Sequence, residues 1–159
     1  MTGGVGHRDL CPILNPLLLV MTRRNITRGL SLLLGLGMVF IGTRFLLAPR
    51  LGAEGFGVFL PPTDVHYAFH YAKGIRDIFS GLLLTLFAAL GYDRPLAWVT
   101  LLGTFIPCVD MTIVLSQPAG SLALAMPHVV AIVVLVGLTI SLFTLARPAA
   151  ITPFSTSAA

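Results

Sequence analysis

Apolar residues run through the chain in four long blocks, about Leu30 to Ala48, Ala72 to Leu90, Leu96 to Leu115 and Leu122 to Leu145. Each approaches the ~20 residues that cross a bilayer, and none keeps the polar face that a helix in water must show. The pattern predicts an all-α fold, a four-helix up-down transmembrane bundle. Pro49 closes the first block and Gly91 the second, whereas Pro107 and Pro127 fall inside the third and fourth. Neighbouring helices or side chains satisfy the carbonyls that such prolines free.

The connections differ in length. "GYDRP" and "SQPAGS" are tight, which makes the second, third and fourth helices sequential antiparallel neighbours. The first, "PRLGAEGFGVFLPPTDVHYAFHY", is long and rich in Gly and Pro; loops of that kind are often functional or packed as lids. Residues 28–146 form the expected transmembrane domain, with an N-terminal cytoplasmic extension, 1–27, and a cytoplasmic polar tail, 147–159. Within the extension, "CPILNPLLLVM" is too short to span and has no small-residue cleavage site after it, so it does not read as a signal peptide. "MTRRNITRGL", from Met21, reads as the expected true start.

Composition supports the membrane reading: charged residues make up 10% of the chain, against about 25% in soluble domains, and the mean hydropathy is +0.94. The net charge of +4 comes from scattered basic residues, without the basic stripe that marks a nucleic-acid face, so no nucleic acid is expected as a partner. Arg8, Arg23, Arg24, Arg28, Arg94 and Arg147 collect on one side and Arg50 on the other, which predicts that both termini are cytoplasmic. The sequon at Asn25 then stays unglycosylated.

Cys11 and Cys108 lack metal or redox spacing; Cys108 reads as a small buried residue. His66 and His70 stand four apart but have no Cys and no third ligand, so no metal site is expected. With Tyr67 and Tyr71 they read as an interfacial belt, and Tyr92 with Trp98 as anchors on the other side. Nucleotide loops and nucleophile–base pairs are absent from the sequence.

In such a bundle the intramembrane ionisable groups fall in one layer on the non-cytoplasmic side. Arg44 ends the first helix, Lys73, Arg76 and Asp77 open the second, Asp110 lies late in the third, and His128 follows Pro127 in the fourth. A charge at bilayer depth costs about 2.5–3.5 kcal/mol unless it snorkels or is paired. Gly74, Asp77, Gly81, Thr85 and Ala88 form a small-residue stripe, along which helices approach closely, so Asp77 faces inward. Lys73, Arg76 and Ser80 form the adjoining stripe, with Lys73 read as interfacial and in i,i+4 register with Asp77. Gly35 and Gly42 offer packing positions on the first helix, while Gly103, Pro107 and Asp110 share a face of the third.

Three positive groups meet two carboxylates in this layer, with His128 neutral. The surplus positive charge either snorkels or holds an anionic group. Two readings stand side by side. In one, Arg44, Arg76 and Lys73 bind the polar end of a small lipophilic molecule, quinone- or isoprenoid-like, while Asp77, Asp110 and His128 position it or move protons as catalytic groups. In the other, the charges clasp the bundle of a non-catalytic subunit or scaffold, because buried ion pairs specify geometry more reliably than they add stability. A transporter is third: four helices would have to oligomerise, and no internal repeat supports it. Whether the chain is an enzyme stays open, and so does the identity of any cofactor.

At "KGIRDIFSGLLLTLFAALG", "IPCVD" and "MPHVVA" the sequence resembles a family of small four-helix membrane proteins in the DoxX-like superfamily. The signature of that family, Gly-Xaa-Arg-Asp opening the second helix, an Asp late in the third and a His opening the fourth, corresponds to Gly74, Arg76, Asp77, Asp110 and His128. Val129 stands where a Gly commonly follows the His. Superfamily relatives include a small subunit of a thiosulfate and quinone oxidoreductase, which implies, by analogy only, a membrane redox partner. A homo-oligomer and the lipid bilayer complete the expected partners. Sterol-isomerase-like enzymes, which combine Glu, Asp and His within their helices, fit poorly, since the only Glu is Glu54 in the first loop.

Overall fold

A computed structural model describes residues 11–61, 63 and 66–146, and these are helical with no strand among them. The helices are α1 (Cys11–Leu47), α2 (Pro49–Phe56), α3 (Ala68–Leu90), α4 (Asp93–Gly103), α5 (Phe105–Leu115) and α6 (Leu122–Leu145). Three stretches are long and apolar enough to cross a membrane: Leu18–Leu47, the joined α4 and α5 over Asp93–Leu115, and Leu122–Leu145. The chain is therefore a multi-pass integral membrane protein. At 23 residues α3 has the length to cross as well, but Lys73, Arg76 and Asp77 interrupt its apolar run.

The helices depart from the four expected blocks in three places, so five rods are counted once α4 and α5 are joined. First, α1 starts at Cys11 rather than near Leu30. Its polar turns contact other helices: Arg23 Nη2 donates to Thr144 Oγ1 at 2.8 Å, and Thr27 Oγ1 lies 2.9 Å from Ser141 Oγ. Second, the first connection contains α2, begun by Pro49 and closed by Gly57 in a left-handed conformation, φ 96°. Proline suits the first turn and glycine the residue after a helix. Third, the helix over Asp93–Leu115 breaks at Thr104, because Pro107 has no N–H for the Gly103 carbonyl. Residues 1–10, with Arg8 and the question of the true start, and the expected tail with Arg147 lie outside the described residues.

Glycine decides how α1 meets α3. A Cβ at Gly42 would stand 2.5 Å from the Gly74 carbonyl oxygen, and one at Gly81 would stand 2.5 Å from the Gly35 carbonyl oxygen. The two backbones touch at paired positions seven residues apart, as the small-residue stripe predicts. Buried along that stripe on α3 are Gly74, Asp77, Gly81, Leu84 and Ala88.

Two apolar clusters close the ends of the molecule. One joins Leu84, Ala88, Leu96, Ala97, Leu138 and Leu142; the other joins Phe45, Phe56, Val114 and Ala125. Beyond the first cluster, Arg28 binds Asp93 through two hydrogen bonds of 2.7 and 3.0 Å, and its Nη2 also donates to the Gly91 carbonyl at 2.9 Å. That fork ties α1 to the turn between α3 and α4. Sequence reading took Arg28 only as a marker of membrane side. The signal for its structural use was Asp93, the single acidic residue of the turn, with Arg94 beside it.

Candidate functional site

A spacing of four residues brings Lys73 and Asp77 to one side of α3, and the joined α4–α5 rod brings Asp110 to the same level. Lys73 Nζ lies 2.9 Å from Asp77 Oδ2 and 3.0 Å from Asp110 Oδ2. The ammonium also stands 4.5 Å from the Phe56 ring centre and 5.3 Å from that of Phe45. All three charged side chains are buried. Lys73 is thus no interfacial residue: it is the centre of the polar layer, held by two carboxylates and two aromatic faces. Burial of a cation in this way needs such partners, because its desolvation is uncompensated otherwise.

Arg76 flanks the same carboxylates from outside. Its Nη2 is 3.4 Å from Asp110 Oδ1 and 3.5 Å from Asp77 Oδ1, and its side chain is 43% exposed. Two cations and two carboxylates form a neutral group. Arg76 is absent from the cavity wall described next, whereas the sequence reading had it holding a ligand.

Between the two apolar clusters lies a cavity of about 490 Å³ to which all six helices contribute. Its polar end carries Arg44, Lys73, Asp77, Ser80, Asp110 and His128; its apolar body includes Leu34, Met38, Leu83, Val99, Leu102 and Leu135. The volume falls in the ~300–1,000 Å³ range of small-molecule sites. Five of the six residues expected at the site therefore border one space, and Arg76 does not. The roof is in part α2, through Gly52, Gly55 and Phe56, where the sequence reading had only a loop. Proline and glycine at its two ends were the available signal.

The polar end contains unequal groups. His128 Nε2 lies 3.1 Å from the Phe56 carbonyl oxygen. A carbonyl only accepts, so Nε2 carries the proton, and Nδ1 is the acceptor of a neutral ring. The His128 ring also meets that of Phe56 edge-on at 4.8 Å. Asp77 Oδ1 is buried and receives no hydrogen bond among the described residues; Arg76 approaches it only at ion-pair distance. Arg44 Nη2 donates to the Leu51 carbonyl at 3.1 Å, and among the described residues Arg44 makes no ion pair. His70 is buried and stacked on Phe45, with centres 6.1 Å apart, so it belongs to the aromatic packing beneath the roof. Among the described residues no cluster of His, Cys, Asp and Glu has metal-ligand geometry.

No curated protein and no solved structure matches the chain. Residues 35–142 match a family described as a domain of unknown function, DUF4267. The matched region runs from the Gly35 that packs on α3 to the Leu142 of the far apolar cluster, and it takes in Arg44, Lys73, Asp77, Asp110 and His128. On that match, which spans more than half of its length, the chain belongs to the DUF4267 family.

Proposed function

We propose that the cavity binds a small lipophilic molecule, quinone- or isoprenoid-like, with its chain among Leu34, Met38, Leu83, Val99 and Leu135 and its polar head at Arg44, Asp77 and His128. The observation that carries this reading is Asp77 Oδ1, a buried acceptor without a hydrogen bond among the described residues, on the wall of a cavity of about 490 Å³ whose body is apolar. Leaving such an acceptor unpaired costs about 1–3 kcal/mol or more, and a donor on a bound molecule removes that cost. In this reading Lys73 holds Asp77 and Asp110 in place, and His128 Nδ1 is the group best suited to take a proton. The resemblance to DoxX-like proteins adds a membrane redox partner by analogy alone.

The expected result is that an isoprenoid quinone or alcohol raises the Tm of the detergent-solubilised protein, and that Asp77→Asn and His128→Ala lose the response. A flat response to a lipid-soluble extract, with native mass spectrometry showing no retained molecule, would sink the reading. A scaffold role is supported by a different observation, the neutral group formed by Lys73, Arg76, Asp77 and Asp110. It predicts that the charge-swapped pair Arg76→Asp with Asp110→Arg recovers folding and phenotype together.

The same reading takes α1, α3, the joined α4–α5 and α6 as the four spans of an up-down bundle, with the Arg24, Arg28 and Arg94 end cytoplasmic. A cysteine placed at Arg94 is then expected to react with a membrane-impermeant maleimide only after the cells are opened, and one at Pro61 in intact cells. The reverse pattern contradicts the orientation.

A further inference from the structure

We infer that the head of the bound molecule is an anion that keeps a hydroxyl, a phosphate monoester on an aliphatic chain, with its charge toward Arg44 and its P–O–H a donor for Asp77 Oδ1; this rests on the ligand reading above and narrows it. The argument is one of charge. Lys73 and Arg76 offset Asp77 and Asp110, so this group of four sums to zero, and His128 has its Nε2 proton engaged by the Phe56 carbonyl. Arg44 is the remaining cation on the cavity wall. Its hydrogen bond goes to a neutral acceptor, the Leu51 carbonyl, at 3.1 Å, and a guanidinium offers five donors in a planar fork that matches carboxylate and phosphate.

Space in front of that fork is supplied by Gly55. A Cβ built there would meet Arg44 Nη1 at 3.7 Å and Nη2 at 3.9 Å and nothing else within 4 Å. One face of the guanidinium is therefore open at the cavity mouth, beside an apolar body of matching polarity for a chain. Arg44 is exposed, so a neutral quinone head would leave its charge as it was, whereas an anionic head at the cavity mouth would pair with it through charge-assisted hydrogen bonds. The chemistry has two sources, a free single-chain amphiphile or an anionic phospholipid of the bilayer.

The test measures binding of hexadecanoate, hexadecyl phosphate, hexadecanol and dihexadecanoyl phosphatidylglycerol to the full chain in non-ionic detergent, by native mass spectrometry and by thermal shift. The expected result is a preference of about tenfold or more for an anionic probe over hexadecanol, the size of a charge-assisted hydrogen bond. Arg44→Gln should abolish it. Gly55→Asp should also abolish it, because its carboxylate would serve Arg44 from within the chain. Tighter binding of the single-chain anions assigns the free amphiphile as the source, and tighter binding of phosphatidylglycerol assigns the bilayer. Equal affinity for hexadecanol and hexadecyl phosphate overturns the anionic head, a preference that survives Arg44→Gln overturns Arg44 as its partner, and either result leaves the ligand reading standing. Binding by none of the probes overturns the anionic head, and the ligand reading falls with it when the isoprenoid quinone and alcohol also fail to bind.

Discussion

Lys73→Met is expected to lower the stability of the detergent-solubilised protein by about 3–5 kcal/mol, the usual loss when one partner of a buried ion pair is removed. The reason is geometric. Lys73 Nζ bridges Asp77 and Asp110 at 2.9 and 3.0 Å, so its loss leaves two buried carboxylates facing each other with only the half-exposed Arg76 beside them. The triple variant Lys73→Met, Asp77→Asn, Asp110→Asn should regain most of the stability, since apolar or neutral replacement of a whole buried charge group is often tolerated. Thermal melts monitored by circular dichroism decide it. A single variant that melts with the wild type would mean that the bridge contributes nothing.

Gly42→Leu is expected to cost somewhat less than the loss of Lys73 but to remain strongly destabilising, by overpacking. Its Cβ would lie 2.5 Å from the Gly74 carbonyl oxygen and 2.8 Å from the Ile78 amide nitrogen. Both obstacles are backbone atoms that no rotamer change removes, so α1 and α3 must separate along their shared surface. Overpacking of this kind costs about 1–3 kcal/mol, occasionally more, and the upper end applies because the contact repeats at Gly35 and Gly81. Gly37→Leu is the control. Nothing lies within 4 Å of a Cβ at Gly37, so it should leave the Tm nearly unchanged; equal losses for the two variants would point to the loss of glycine itself rather than to the crossing.

How much of this was readable in the chain depends on the range of the interaction. The inward face of α3 followed from the spacing of Gly74, Asp77, Gly81 and Ala88 alone, because a helix turns that sequence period into one side. The break near Pro107 was half readable: the missing N–H identifies the freed carbonyl, but the bend it causes depends on what packs around it. The position of Lys73 could not be read, since whether it reaches Asp110 depends on the rotation of two helices about their axes, and no local pattern encodes that. The α2 helix was not legible because, at eight residues, it is too short to show as an apolar block, although Pro49 and Gly57 mark its ends. The early turns of α1 were hidden differently: Arg23, Thr27 and Arg28 look like a flank until their partners Thr144, Ser141 and Asp93 are brought alongside.

The bridge from Lys73 to Asp110 also sets an order on biogenesis. During translation α3 leaves the ribosome while Asp110 is still inside the exit tunnel, so in the translocon Lys73 has only Asp77 for company, and the helix is a poor candidate to enter lipid by itself. What is already present is α1, with Gly35 and Gly42 turned toward Gly81 and Gly74. On the proposed four-span topology the two helices should therefore partition as a hairpin, with the charges of α3 neutralised only once α5 arrives. Chains truncated after Gly103 are expected to insert α3 less efficiently in glycosylation mapping than chains extended past Asp110, and equal insertion would show that α1 alone suffices as chaperone.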